Sequence, residues 1–173
     1  MIHRVSSSYI LFFILLVLAS GCASYRLGVV SSLIPAGDSI QVGLFQNSTT
    51  QPILSESVNA SIRRELHRDG TFELATKDDS DILLTGNITN YRRSPVSFQP
   101  KDILSVRDFV VELSVRIKAA ERSSGKLLVD RVITSRTTVR LGDDLSSAER
   151  QSLPLLANDL AKRTVALLAE GEW

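Results

Sequence analysis

Residues 106–120 carry the alternation that most restricts how this chain folds. Apolar side chains occupy every second position, from Phe109 through Leu113 to Ala119, and polar or charged side chains fill most of the positions between them. This period of two is typical of a β-strand with one buried face and one face in water. A turn sequence around Gly125 follows, and residues 127–139 return as a second strand. The sequence therefore predicts a long antiparallel hairpin.

Two other segments have the spacing of amphipathic helices. Residues 54–66 carry an apolar side chain at every fourth position, and Gly70 follows where a helix commonly ends in a left-handed residue. Residues 146–168 carry a second apolar stripe. Pro154 lies inside it, and we expect this proline to kink the helix or to separate a first turn from a main helix that begins near Leu153.

Three further segments read as strands, namely residues 39–45, 71–75 and 81–92. The last of them is expected to end before Pro95, with a loop over residues 96–105. Two helices, each with one apolar stripe, can cover one face of a sheet. The predicted fold class is α+β, a two-layer sandwich in which a mainly antiparallel sheet of four to five strands has two helices packed on one face.

The N-terminus has the three parts of a secretory signal. A basic start is followed by an apolar stretch over residues 9–19 and then by small residues before Cys22, the only cysteine. The stretch is too short for a membrane helix, which needs about 20 residues. Gly21-Cys22 indicates a lipobox, in which Cys22 receives lipid and becomes the mature N-terminus; an ordinary signal followed by an incidental thiol is the alternative. Ala23 behind the cysteine favours the outer membrane.

These features divide the chain into three parts. We expect a lipoprotein signal peptide over residues 1–21, a lipidated tether over residues 22–38 and a single α+β domain over residues 39–173. Without the signal, 152 of the 173 residues remain, with 19 basic and 19 acidic side chains. A neutral chain has no general attraction to nucleic acid, so any anion binding must come from local clusters of charge.

No pattern in the mature chain predicts catalysis. His67 is its one histidine, and no acidic and nucleophilic side chains stand at a telling spacing from it. No phosphate-binding glycine loop or metal-ligand cluster is present in the sequence, so neither a cofactor nor a metal is expected. These observations favour a binding protein over an enzyme.

Basic residues lie at the predicted strand ends and along the hairpin. The set is Arg92, Arg93, Lys101, Arg107, Arg116, Lys118, Lys126, Arg131, Arg136 and Arg140. For any single one, ordinary solubilising charge is the simpler interpretation. Arg92 and Arg93 differ because they are paired beside Tyr91 at a predicted strand end. Guanidinium groups bind phosphate through two hydrogen bonds, so this pair indicates a contact with an anionic glycolipid headgroup.

Several of these stretches together resemble the lipopolysaccharide-assembly lipoprotein family, LptE. The resemblance covers nearly the whole mature chain. It rests on Gly21-Cys22 with residues 25–28, and on residues 40–49, 63–72, 84–93 and 124–128. It implies a small sheet backed by two helices and a role without catalysis. Family members sit inside the LptD β-barrel, help it to assemble and contact lipopolysaccharide on its way to the outer leaflet.

The resemblance also implies a ligand site and a location. Arg92, Arg93 and Arg136 are the expected lipopolysaccharide-binding residues, by approximate match to basic residues near strand ends in the family. The expected partners are an LptD-like β-barrel, lipopolysaccharide and the outer membrane, to which the N-terminal lipid would hold a periplasm-facing domain. Two alternatives stay open: a lipoprotein of similar fold that binds a peptidoglycan synthase or secretion component, and a lipid-anchored envelope enzyme.

Overall fold

Six strands and two helices form the described part of the chain, residues 34–99, 102–140 and 145–170 of a computed structural model. In chain order they are β1 (Ser39–Val42), β2 (Gln46–Asn47), α1 (Leu54–Asp69), β3 (Glu73–Ala75), β4 (Ile82–Gln99), β5 (Asp102–Glu121), β6 (Leu127–Arg140) and α2 (Leu145–Glu170). Cys22, the signal and most of the tether lie outside the described residues, so the predictions about them stay predictions.

The strands form one mixed sheet in the order β3-β1-β4-β5-β6, with β2 also paired to β4. β1 runs parallel to both β3 and β4, and β2 runs parallel to β4. Only the β4–β5 and β5–β6 pairs are antiparallel. The prediction of a mainly antiparallel sheet of four to five strands was therefore wrong, whereas the α+β class with two helices is confirmed.

The parallel half of the sheet follows from the position of α1 in the chain. Because α1 lies between β2 and β3, it carries the chain back to the starting end of β1, and β3 enters in the same direction. The antiparallel half follows from short connections, since only a few residues separate β4 from β5 and β5 from β6. Short strands such as β1 and β3 show too few alternating positions to reveal their direction in the sequence.

β4 is longer than the sequence indicates, because it continues through Pro95 to Gln99. Pro95 lies opposite Phe109 of β5, and the register shifts immediately after it. Within the described residues, no strand pairs with the other edge of β4 beyond Ile88. The missing N–H of Pro95 can therefore lie on an open edge, where it breaks no ladder of hydrogen bonds.

Both helices lie close to their predicted bounds. In α1, Leu54, Ile62 and Leu66 are completely or almost completely buried, and Gly70 ends the helix with φ of 75°. The N–H of Gly70 donates to the Leu66 carbonyl, as expected for a left-handed cap.

α2 is not divided at Pro154, so the prediction of a separate first turn was wrong. No helix among the described residues is both long and apolar enough to cross a bilayer.

Candidate functional site

The faces of the β4–β5–β6 half of the sheet differ sharply in chemistry. On β5, the side chains of Val111, Leu113, Val115, Ile117 and Ala119 are buried in the core, as the alternation predicts. The intervening side chains lie on the opposite face, which we call the basic face. Its charged members are Arg92, Asp108, Glu112, Arg116, Lys118, Asp130, Arg136 and Arg140, together with Arg107, which the β4–β5 register skips and which contacts Asp108.

Glu112 lies between two arginines from neighbouring strands. The register places Arg92 of β4 and Arg136 of β6 on either side of it. The Arg136 Nε atom is 2.7 Å from one carboxylate oxygen of Glu112, and the nearest guanidinium nitrogen of Arg92 is 4.0 Å from the other. The Glu112 side chain is 14% exposed, whereas those of Arg92 and Arg136 are 65% and 68% exposed. A recessed carboxylate thus holds two outward-facing guanidinium groups, which leaves a net positive charge at the surface.

Asp108 repeats this arrangement at one end of the face. Its carboxylate accepts hydrogen bonds from Arg107 at 2.9 Å and from Arg140 at 3.2 Å. The Ser97 hydroxyl also donates to it. The hydrogen bond from Ser97, followed by that from Arg107, lowers the pKa of Asp108 to about 2. Asp108 is therefore ionised at neutral pH and offsets only one of its two arginine neighbours.

The third group lies toward the other end of the face. The Arg116 guanidinium donates two hydrogen bonds to the Asp130 carboxylate, at 2.6 Å and 2.8 Å. These bonds raise the pKa of Arg116 and lower the pKa of Asp130. Lys118 lies opposite Asp130 in the register. The basic face therefore carries six cations and three carboxylates among its described residues, an arrangement that attracts an extended anionic ligand.

Arg93 lies on the other face of β4, because consecutive residues of a strand point to opposite sides. One of its guanidinium nitrogens is 3.2 Å from a Glu149 oxygen in α2. The Tyr91 hydroxyl donates to the other oxygen of Glu149 at 2.7 Å. Burial, and then the hydrogen bond to Glu149, raises the pKa of Tyr91 above its ordinary value. The structure thus brings together Arg92 and Arg136 of the three predicted site residues and places Arg93 in a contact between β4 and α2.

Sequence reasoning overlooked the carboxylates of the basic face. Asp108, Glu112 and Asp130 each lie between or beside cations, but their partners are on other strands. The alternation in β5 already placed Asp108 and Glu112 on the solvent-exposed face with the basic residues. This pattern was the one signal in the sequence that could have indicated them. Choosing Arg136 as the partner of Glu112 requires the strand register, which alternation alone does not supply.

Among the described residues, no group of three or more His, Cys, Asp or Glu side chains is placed to hold a metal ion. His67 is exposed near the end of α1. Arg63 of the same helix donates to the Val42 carbonyl at 2.8 Å, so this cation connects α1 to β1.

The model of the LptE family, described as lipopolysaccharide assembly, matches residues 38–168. The chain belongs to the LptE family. The matched region includes all six strands and nearly all of α2, and the resemblance inferred from the sequence is confirmed. Arg92, Glu112 and Arg136 all lie inside it. No curated protein matches the sequence at a significant level.

Solved structures support the fold of this LptE family member. Protein XCC0632 from Xanthomonas campestris has a TM-score of 0.60 at 11% identity, over 76% of this chain and 83% of that one. The hypothetical protein CT253 from Chlamydia trachomatis has a TM-score of 0.54 at 10% identity, over 76% and 95%. A minor lipoprotein from Acinetobacter baumannii has a TM-score of 0.53 at 12% identity, over 76% and 91%. At these identities the similarity concerns the fold alone.

Proposed function

We propose that this LptE family member binds lipopolysaccharide through the basic face and assists assembly of an LptD-like β-barrel. The observation that carries the proposal is the pair of exposed guanidinium groups of Arg92 and Arg136, held on either side of recessed Glu112. Lipopolysaccharide carries phosphates, and arginine binds phosphate through two parallel hydrogen bonds. Two guanidinium groups at the ends of one carboxylate can contact two phosphate oxygens at once.

The ligand is held by charge and geometry, and no chemical step is required. Arg136 donates a hydrogen bond to the Glu112 carboxylate, and Arg92 forms an ion pair with it. When phosphate binds, each guanidinium group replaces this anionic partner with another. Arg140 and Arg116 extend the positive surface to either side along β5 and β6. Arg93 remains in the proposal as a separate contact, which a large headgroup reaches across the open edge of β4. We therefore propose a binding role without catalysis.

The proposed location follows from the sequence. Lipid on Cys22 would anchor the protein in the outer membrane with its domain facing the periplasm. Metabolic labelling with palmitate should mark the protein, and Cys22→Ala should abolish the label. Membrane fractionation should place the parent chain with the outer membrane. Label that persists in Cys22→Ala, or a chain found in the inner membrane, would contradict the anchoring proposal.

Charge reversal tests the ligand site directly. The double variant Arg92→Glu/Arg136→Glu should lose most of its affinity for purified lipopolysaccharide and should support less barrel assembly in cells. Arg68→Glu makes one such charge reversal at an exposed position of α1, away from the basic face, and should bind as the parent does. The affinity of Arg93→Glu for lipopolysaccharide tests the separate contact that we propose between Arg93 and the headgroup. Unchanged binding in the double variant, with the fold intact by circular dichroism, would overturn the proposal.

Barrel assembly is tested by capture of the partner. Crosslinking of the parent chain in cells should recover a large β-barrel protein of the outer membrane. Recovery of a peptidoglycan synthase or a secretion component in its place would favour the alternative role for a lipoprotein of this fold.

A further inference from the structure

The charged groups of the basic face recur at a regular interval along β5. Within the described ranges, Asp108, Glu112 and Arg116 each belong to a group in which two cations accompany one carboxylate. These three residues are four positions apart, and an antiparallel strand rises about 3.4 Å per residue, so neighbouring groups lie about 14 Å apart. A single phosphate is too small to contact two of them. A ligand that uses two groups must therefore be extended, with its anionic parts joined by a spacer.

The residues on one side of the Glu112 group are neutral and polar. Asn90, Ser114 and Thr134 lie side by side on β4, β5 and β6, between this group and the next. The hydroxyl oxygens of Ser114 and Thr134 are 3.0 Å apart. Hydroxyl and amide groups both donate and accept hydrogen bonds, which suits the hydroxyl groups of a sugar. The corresponding row on the other side of Glu112 has apolar Val110 at its centre.

A pocket lies at the far end of this polar row. Its volume is about 460 Å³, and its lining includes the amides of Gln46 and Asn87 and the cations of Arg116 and Lys118. Leu44 adds an apolar wall, and this side chain is 82% exposed. Binding pockets for small molecules combine apolar surface with a few polar groups that fix the ligand's orientation. A sugar ring with an anionic substituent complements this pocket, since its C–H groups can pack on Leu44 while the cations contact the substituent.

We propose that the saccharide of lipopolysaccharide lies lengthwise along β5, with one anionic group at Arg92 and Arg136 and a second in the pocket beside Lys118. This inference rests on the proposed function, because the first contact is the phosphate site described there. It adds the chemical class of the bound part, a saccharide with two anionic groups separated by neutral sugar. It also gives the direction of the ligand, which runs toward Lys118 and away from Arg140.

Two matched charge reversals test this direction. Lys118 lies directly opposite Asp130, and Arg140 lies directly opposite Asp108, so Lys118→Glu and Arg140→Glu each place a glutamate beside an aspartate on the same face. The probe is the saccharide of lipopolysaccharide, freed of acyl chains but with its phosphates retained, titrated into the full-length protein in detergent. Lys118→Glu should lower the affinity about tenfold, and Arg140→Glu no more than about twofold. Lys118→Arg should bind as the parent does, and circular dichroism should show that every variant is folded.

Two further measurements separate the pocket from general attraction between charges. Leu44→Ala should lower the affinity roughly threefold, because it removes apolar contact without changing charge. Leu155→Ala, at an exposed position of α2, is the matched control and should bind as the parent does. Removal of the phosphates from the saccharide should abolish the difference between the parent and Lys118→Glu.

Several outcomes would overturn the second contact. They are unchanged affinity in Lys118→Glu or in Leu44→Ala, equal losses in Lys118→Glu and Arg140→Glu, and a loss in Lys118→Glu that intact lipopolysaccharide shows but the deacylated saccharide does not. Unchanged binding in Arg92→Glu/Arg136→Glu would instead overturn the proposed phosphate site. A loss in that double variant with no loss in Lys118→Glu would overturn the second contact alone.

Discussion

Phe45 packs directly over Gly86 of β4. A Cβ atom at position 86 would lie 2.7 Å from Cδ1 of the Phe45 ring and 3.0 Å from the Arg116 carbonyl oxygen. Phe45 is only 1% exposed, so the ring has little room to move away. The loop between β1 and β2 is thereby seated on the strand that joins the two halves of the sheet.

This contact predicts that Gly86→Ala destabilises the protein. Overpacking a well-filled core commonly costs about 1–3 kcal/mol, and the backbone oxygen of Arg116 cannot be displaced cheaply. Urea unfolding followed by circular dichroism should show the lower midpoint. Adding Phe45→Leu to Gly86→Ala should restore part of the loss, because it removes the ring atoms nearest the new methyl group. If the double variant loses more stability than the two single variants lose in sum, this explanation is contradicted.

Tyr91 and Glu149 join β4 to α2 through a hydrogen bond, and the contribution of this bond to the free energy of unfolding should be measurable. Tyr91→Phe removes the 2.7 Å bond and leaves a half-buried carboxylate with one fewer donor. We expect a loss of about 1–2 kcal/mol in the free energy of unfolding, typical of a hydrogen bond to a charged group. Glu149→Gln should cost a similar amount, and the double variant should cost less than the sum. Strict additivity in this cycle would mean that the two side chains do not interact.

The low pKa of Asp108 predicts a dependence of stability on pH. The pKa of this carboxyl is about 2 in the folded protein, against an ordinary value of 3.8. The folded state therefore binds the proton less readily than the unfolded state, and the stabilisation is fully present above about pH 4. It is lost as the pH falls through about 2.

Unfolding measured from pH 6 down to pH 2 should reveal this contribution. Asp108→Asn should be less stable than the parent at pH 6, and the difference should shrink as the pH falls. Ser97→Ala keeps the carboxylate but removes the strongest cause of its low pKa, so the contribution should be smaller and its loss should be complete at a higher pH than in the parent. Parallel curves for the parent and Asp108→Asn would contradict the assignment.

The negative charge of Glu112 repels the anionic ligand that we propose for Arg92 and Arg136. Removing this charge should therefore strengthen lipopolysaccharide binding. Glu112→Gln keeps the size of the side chain and removes one negative charge between Arg92 and Arg136. We expect lipopolysaccharide affinity to rise roughly threefold at low salt, from the loss of one repulsion across water of high dielectric constant. The gain should diminish as salt is added. Titration at two salt concentrations checks it, and weaker binding at both would show that Glu112 is needed to orient the arginines.

Local sequence patterns were sufficient to predict the elements in which the apolar repeat extends over many residues. The apolar residues of α1 recur at four positions over more than three turns, and the alternation in β5 runs through Ala119, so helix and strand could each be distinguished. Gly70 marked the end of α1 for a local reason, because its left-handed conformation is costly for other residues. The matching stretches were also sufficient to predict the LptE family.

Tertiary structure decided everything that depends on which strands are neighbours. β1, β3 and the start of β4 are parallel because α1 and then the segment between β3 and β4 each return the chain to the same end of the sheet. β4 passes through Pro95 because no strand in the described ranges pairs with its outer edge there. Arg92, Glu112 and Arg136 are distant in sequence and meet only through the β4–β5–β6 register, whereas adjacent Arg92 and Arg93 separate to opposite faces. A sequence determines the period of each segment, but pairing is set by burial and backbone hydrogen bonding across the whole sheet.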